Sequence, residues 1–376
     1  MIGGAGVGGT GMRGGGAVAT LGVEEEFLLV DAVSGRTAAK AGEVLARVGA
    51  YPYEGGAYQP ELSRTQVEAA TGVCRTLGEL REQLSRARAA LARACAAEGL
   101  SLVASGTPGP AGGEAVISRG ERFERIARMY GDVVGDYQAC ACQVHVGVAD
   151  RDTAVAVLNH LRPWLATLLA LSANSPFDGG RDTGYASWRM VQQFRFPGSG
   201  VPPWFASAAA HDREVDRLVE CGVLVDEAMT FWLARPSALY PTVEVRAADA
   251  VTTVDEAVLQ AALSRGLVRT ALNELAAGRE GPRAGAQVCA AAVWSAARHG
   301  LHGSGVDVVA ERRVPATRLL DDLVGWVTPA LEESGDLVEV KGLLARAGSG
   351  AARQRQAASH GPRALLDLLS VSQEET

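Results

Sequence analysis

Three consecutive glutamates stand in the run Gly22-Val23-Glu24-Glu25-Glu26-Phe27. On a strand, side chains alternate, so Glu24 and Glu26 share one face while Val23, Glu25, Phe27 and Leu29 share the other. Two carboxylates side by side repel unless a cation or an arginine joins them. Apolar residues on both flanks favour a cation site over a solvated acidic edge. Gln143-Val144-His145-Val146-Gly147 has the same design, with Gln143 and His145 on one face and Val144 and Val146 on the other. A lone strand histidine is ordinarily a hydrogen-bonded core residue. It gains weight as a ligand only by joining the glutamates on one sheet face, where imidazole suits Mn²⁺ better than Mg²⁺.

Pro241-Thr242-Val243-Glu244-Val245-Arg246 repeats the pattern, with Glu244 and Arg246 opposite Val243 and Val245 and with Asp249 just beyond. A fourth run, Pro60-Glu61-Leu62-Ser63-Arg64-Thr65-Gln66-Val67-Glu68, spaces two glutamates seven apart. A straight strand puts Glu61 and Glu68 on opposite faces, so they meet only if a bulge, turn or helical segment intervenes. Spacing alone leaves that open. Carboxylates from four segments, one histidine and no cysteine ligand set suit Mg²⁺ or Mn²⁺ rather than structural zinc.

Composition narrows the partners. The chain has 376 residues, 36 basic against 43 acidic. This acidic balance argues against binding a nucleic-acid backbone and against a basic membrane-surface patch. No apolar run approaches the roughly 18 residues of a membrane helix. The only lysines are Lys40 and Lys341, neither in a Walker A context, so phosphates must be held by arginines and metal ions. Six cysteines show no CxxC spacing and read as reduced, mostly buried thiols of a cytoplasmic protein, with Cys140 and Cys142 alternating on one strand and facing the same side. Hard cations with arginines and no P-loop point to ATP chemistry on a sheet surface.

The elements that must position these residues are legible in outline. Residues 1–19 read as a flexible Gly-rich tail, and the GxGxxG match at Gly4, Gly6 and Gly9 has no strand before it and no helix after. Residues 20–376 read as one catalytic domain. A strand is expected over 20–30. A helix over 76–98 opens on the capping box Thr76/Glu79 and carries the stripe Leu77, Leu80, Leu84, Leu91 and Cys95. A short strand follows at 102–105, a helical turn or two at 123–130 and a strand at 138–149. One long buried helix is expected over 152–173 and a structureless loop, functional by its length, over 174–204. A helix at 205–222 and strands near 227–235 and 241–248 precede an almost wholly helical part from about residue 253 to 347. The pattern is α+β with an antiparallel sheet. The late helices carry apolar faces suited to a homodimer.

These segments resemble the glutamate–cysteine ligase type 2 group of carboxylate–amine ligases. The resemblance rests on Gly22–Phe27, on Val144-His145-Val146-Gly147-Val148 and on Thr242-Val243-Glu244-Val245-Arg246. It extends to Ser172-Ala173-Asn174-Ser175-Pro176-Phe177, to Gly180-Arg181-Asp182-Thr183-Gly184-Tyr185-Ala186-Ser187 and to Arg353-Gln354-Arg355, so it spans roughly residues 20–360. It implies an antiparallel sheet curved into a half-funnel, related to glutamine synthetase, with helices on the outer side. It implies ATP-dependent amide formation: a carboxylate, by default the γ-carboxyl of glutamate, is phosphorylated, and an amine, by default cysteine, displaces the phosphate. By resemblance Glu24, Glu26, Glu61, Glu68, His145 and Glu244 serve the metals. Arg246 and Arg189 are the catalytic arginines, and Arg246, Arg353 and Arg355 the ATP contacts. Gln143, Asn174, Asp182 and Tyr185 belong to the substrate and lid region. One departure stands out: the family commonly reads His-Val-His where this chain has Gln143-Val144-His145. Gln143 offers a metal one neutral oxygen at best, which points to a different acid or amine, or to reduced activity. The same carboxylates also admit a nucleotide-binding homologue without turnover or a metal-dependent hydrolase, which ATP-dependence of turnover separates.

Overall fold

Leu21, Val23, Phe27 and Leu29 are all buried along β1 (Leu21–Asp31). Burying four such side chains at roughly 1.5–3 kcal/mol each fixes which face of the strand turns inward. A slip of one residue would turn Glu24 and Glu26 into that apolar core instead. The structure, a computed structural model, describes residues 19–374. The Gly-rich tail lies, but for its last residue, outside the described residues.

Four strands follow: β2 (Ala57–Pro60), β3 (Gln66–Ala70), β4 (Leu100–Val103) and β5 (Ala141–Gly147). Two minor pairings come next, β6 (Phe177–Asp178) with β7 (Arg181–Asp182) and β8 (Ser199–Gly200) with β9 (Phe231–Trp232). They precede β10 (Ala234–Pro236) and β11 (Thr242–Asp249). The main sheet is antiparallel and runs β10-β11-β5-β1-β3-β2. On the edge of β1 facing away from β3, β5 pairs with residues 21–25 and β4 with residues 28–31. The strands β10 and β2 end the order without meeting, so the sheet stays open.

Helices pack around the sheet. Those preceding the late helical part are α1 (Ala41–Val48), α2 (Leu77–Ala97), α3 (Glu121–Tyr130), α4 (Arg151–Leu161), α5 (Leu165–Ser172), α6 (Trp188–Gln193) and α7 (Ala208–Glu220). After α8 (Val254–Ala276) come α9 (Ala286–His299), α10 (Ala316–Ser334), α11 (Leu337–Arg346), α12 (Gly350–Ala358) and α13 (Pro362–Leu369). Val23, Val144, Val146, Val243 and Val245 pack with Leu158, Leu168, Leu169, Val258 and Leu263 of α4, α5 and α8. Phe27, Leu29 and Val67 pack with Leu91 and Cys95 of α2. Both α2 and α8 open on reciprocal capping boxes, Thr76/Glu79 and Thr253/Glu256. Glu25 lies on this apolar face and stays charged-paired there. Arg88 of α2 donates to both its carboxylate oxygens, at 2.9 and 2.5 Å, and also to the carbonyls of Val251 and Thr252.

Four expectations need correction. The helix expected over 152–173 is two, α4 and α5, bent by 69° where Pro163 removes a backbone donor and crowds the preceding turn. The stretch 174–204 is not structureless, since it holds the β6–β7 hairpin, α6 and β8. The helical part is interrupted by the hairpin β12 (Ser304–Asp307) and β13 (Arg312–Pro315) and continues past residue 347 to Leu369. Cys140 and Cys142 do not share a face: Cys140 precedes β5 and meets the Gln66 amide, while Cys142 joins the helix-covered core. Among the described residues no single helix is long and apolar enough to cross a membrane.

Candidate active site

Strand register gathers the polar residues on the face away from α2, α4, α5 and α8, a face that Ile126 of α3 and Arg189 of α6 also reach. Glu26 stands opposite Glu68, Glu24 opposite Gln143, His145 opposite Glu244, and Glu244 opposite Arg235. Directly paired residues of antiparallel strands point to the same side. Glu61 arrives by a turn: β2 ends at Pro60, and the chain reverses through residues 61–65 before β3. That reversal is the interruption which the seven-residue spacing of Glu61 and Glu68 required. The result is two groups of ligand atoms, each within 4.8 Å of one another: Glu26, Glu61 and Glu68 in one, and Glu24, His145 and Glu244 in the other.

The first group is short of positive charge. Among the described residues, none of Glu26, Glu61 and Glu68 has an arginine or lysine within ion-pair distance. Burial, then repulsion from Glu61, pushes the Glu26 carboxyl up to about 8. Burial also raises Glu61. Glu68 is driven well above the usual range by burial and then by Glu24, Glu61 and Glu26. Two buried carboxylates and the half-buried Glu61 in this state fit an all-oxygen site for a hard divalent cation, which would supply the missing charge.

The second group is already paired. Burial raises Glu244, but Arg246 and Arg235 outweigh it and hold the carboxyl far below its ordinary range. Arg235 contacts it twice, at 2.7 and 3.1 Å, and Arg246 once. His145 Nε2 lies 3.3 Å from Glu24 Oε1 and Nδ1 lies 2.9 Å from the Thr242 hydroxyl. Burial disfavours the imidazolium, yet Glu24 and Glu244 leave its pKa raised overall. One imidazole and two carboxylates form a mixed donor set that fits Mn²⁺ or Mg²⁺, with Glu244 shared between the cation and the arginines.

Arg246 leaves the sheet at a bulge. The register of β11 shifts between Val245 and Ala248. Arg189 of α6, itself buried, donates to the carbonyls of Arg246 and Ala247 there, at 2.9 and 3.4 Å, and sits 3.5 Å from Asp249. Asp249 also accepts from the hydroxyls of Ser175 and Ser187, which anchors the 174–187 segment to the sheet. Gln143 joins the two halves of the site: its amide nitrogen donates to Glu26 Oε1 at 2.5 Å and its oxygen accepts from Arg246 Nη1. A cavity of about 260 Å³ lies over this face. Its lining includes Glu24, Glu26, Glu61, Glu68, Gln143, Arg189, Arg235 and Arg246. Leu62, Ile126, Tyr137 and Phe231 form its apolar wall. A second cavity, of about 200 Å³, adjoins Glu24 and His145 and is lined by Gly55, Val73, Tyr240 and Pro241, with no arginine or lysine among the described residues.

Five expected residues lie elsewhere. Arg353 pairs with Glu256 at the start of α8, beside Arg81, Asp255 and Arg346. Arg355 holds Asp182 with two 2.8 Å bonds and also reaches the Tyr185 carbonyl. Asn174 is buried, and its amide donates to the carbonyls of Ala104 and Ala250. None of Asn174, Asp182, Tyr185, Arg353 and Arg355 lines the cavity over the carboxylates.

The model of glutamate–cysteine ligase family 2 matches residues 20–366. The chain belongs to this family. A protein of Saccharopolyspora erythraea named "Putative glutamate–cysteine ligase 2-2" is 56% identical over 359 residues, 94% of this chain and 92% of that protein. One of Salinispora arenicola named "Putative glutamate–cysteine ligase 2" is 43% identical over 358 residues, 94% of each. Among solved structures, the glutamate–cysteine ligase of Francisella tularensis in complex with AMP aligns with a TM-score of 0.69 at 13% identity. That alignment covers 94% of this chain and 88% of the other. A bifunctional glutathione synthetase from Pasteurella multocida gives 0.64 at 15% identity, covering 93% of this chain and 52% of that one. These two share the fold of this chain. Within this family 2 chain, sequence reasoning missed Arg235 and Thr242 as site residues. Arg235 is the middle residue of the three-residue β10, too short to show a pattern of its own, and only the β10–β11 register sets it against Glu244.

Proposed function

We propose that this chain is an ATP-dependent carboxylate–amine ligase that forms an amide through an acyl phosphate, with glutamate and cysteine as the default acid and amine. The observation that carries it is the pairing of a cation-deficient carboxylate group with an arginine-rich group on one sheet face, joined by Gln143. A carboxylate anion is a poor electrophile, and a phosphoryl group gives it a leaving group. Divalent cations on Glu26, Glu61 and Glu68 and on Glu24, His145 and Glu244 would neutralise the triphosphate and the charge developing on the transferred phosphoryl group. Arg246 is positioned to donate to phosphate oxygens, and Arg189 and Arg235 hold its strand and its carboxylate partner. The apolar wall of Leu62, Ile126, Tyr137 and Phe231 limits water near a reactive acyl phosphate. The second cavity, free of charge-bearing arginines and flanked by Tyr240, suits a nucleotide base beside His145. The family membership and the AMP found with the Francisella protein support this reading.

The test is mass spectrometry of a reaction with ATP, Mg²⁺, glutamate and a pool of amines that includes cysteine. ADP together with a new amide mass is expected and names the amine. ATP consumed only to ADP and phosphate, with no amide from any acid or amine pool, would sink the ligase assignment.

A further inference from the structure

Gln143 is an uncharged hydrogen-bonding side chain that bridges Glu26 and Arg246. It is 3% exposed, and each end of its amide is taken by a charged partner. Arg246 Nη1 is shared between Gln143 and Glu244, and Arg246 Nε is buried with no hydrogen-bond partner. Among the described residues Glu26 receives only neutral donors, the Gln143 amide and the Ala141 N–H at 2.7 Å. An incompletely satisfied guanidinium and a carboxylate one side chain apart, both largely buried at the edge of the cavity, attract one another and favour a direct forked pair. Such a pair would cancel the charge that the Glu26, Glu61 and Glu68 group offers to a cation.

We propose that Gln143 is a neutral spacer: its amide holds the Arg246 guanidinium off Glu26, keeping the carboxylate for a divalent cation and the arginine for an anion. The spacer accepts from one and donates to the other, which no carboxylate and no aliphatic side chain can do. It is a positioning residue, and its role rests on the reading that Glu26, Glu61 and Glu68 bind a cation.

The test is Mn²⁺ binding without nucleotide, followed by electron paramagnetic resonance, with circular dichroism to verify folding. Gln143→Met keeps the length and removes both hydrogen bonds. Mn²⁺ affinity is expected to fall about tenfold, in the range seen when a partner of a metal ligand is lost. In an Arg246→Met background the same substitution should cost less than twofold, because no guanidinium remains to move onto Glu26. An equal loss in both backgrounds would overturn the spacer and leave Gln143 as mere packing for Glu26. Unchanged affinity in Gln143→Met would overturn it as well. No Mn²⁺ binding by the unmodified protein would overturn the cation reading, and the spacer with it. Gln143→Leu, read in the same way, replaces Gln143→Met if the latter does not fold.

Discussion

Glu26 carries the heaviest demand of any single residue, because its two oxygens face a cation site on one side and protein donors on the other. Glu26→Gln should abolish ATP turnover while the circular dichroism spectrum is kept, since it removes a charge that the cations require. Near-normal ADP release in that variant would refute the ligand role. The crowding of Glu26, Glu61 and Glu68 also fixes a pH dependence. An unfolded glutamate loses its proton near 4.5, whereas the folded Glu26 keeps one up to about 8. Between those values the cation-free folded state binds more protons than the unfolded state, so its stability falls as pH rises. His145, with its pKa raised, pushes in the same direction. The melting temperature in chelator should therefore be higher at pH 5.5 than at pH 8, and added Mn²⁺ should raise it more at pH 8. Melting curves at both values check this, and a larger Mn²⁺ effect at pH 5.5 would contradict it. At position 143, histidine also combines a donor with an acceptor. Gln143→His should leave Mn²⁺ affinity within a few-fold and instead shift the preferred acid or amine through its bulk; a tenfold gain in affinity would count against this.

At the scale of the strand, β1 separates chemistry from stability by alternation alone. Glu24 and Glu26 face the cavity, and Glu25 faces α2, where Arg88 receives it in a buried pair. Removing one partner of such a pair strands the other charge in the core, at a cost of about 3–5 kcal/mol. Glu25→Gln should thus lower stability by several kcal/mol in urea melts while the folded fraction keeps its kcat. Lost turnover with unchanged stability would invert the assignment of faces. Alternation needs only the local backbone, which is why the faces of Glu24, Glu26, Gln143, His145 and Glu244 were legible in the sequence. The capping boxes of α2 and α8 were equally local. The break at Pro163 is written in the sequence too, but the apolar pattern runs unbroken through it and masks it. The hairpin of β12 and β13 has short, half-exposed strands, so it lacks the periodic burial that marks an element.

Across the whole molecule, the segment 174–187 is tied to α12 by the Arg355–Asp182 pair, with side chains 36% and 45% exposed. A pair this exposed contributes about 0–1 kcal/mol. Arg355→Ala should therefore leave the melting temperature nearly unchanged, and its distance from the cavity predicts an ATP KM within about twofold of the unmodified value. A KM raised tenfold would return Arg355 to the nucleotide site that the resemblance implied for it. Sequence by itself determined the residue types, the alternation that puts five of the six candidate ligands on strand faces, the helix starts and the family. It could not decide that Glu61 reaches Glu68, because that depends on a turn across residues 61–65. Nor could it divide the six ligands into two groups, set Arg235 against Glu244, or place Gln143 between Glu26 and Arg246. Those facts follow from the register of β3, β5, β10 and β11 about β1, and register is set by burying the apolar faces of all these strands at once, a condition no single segment contains.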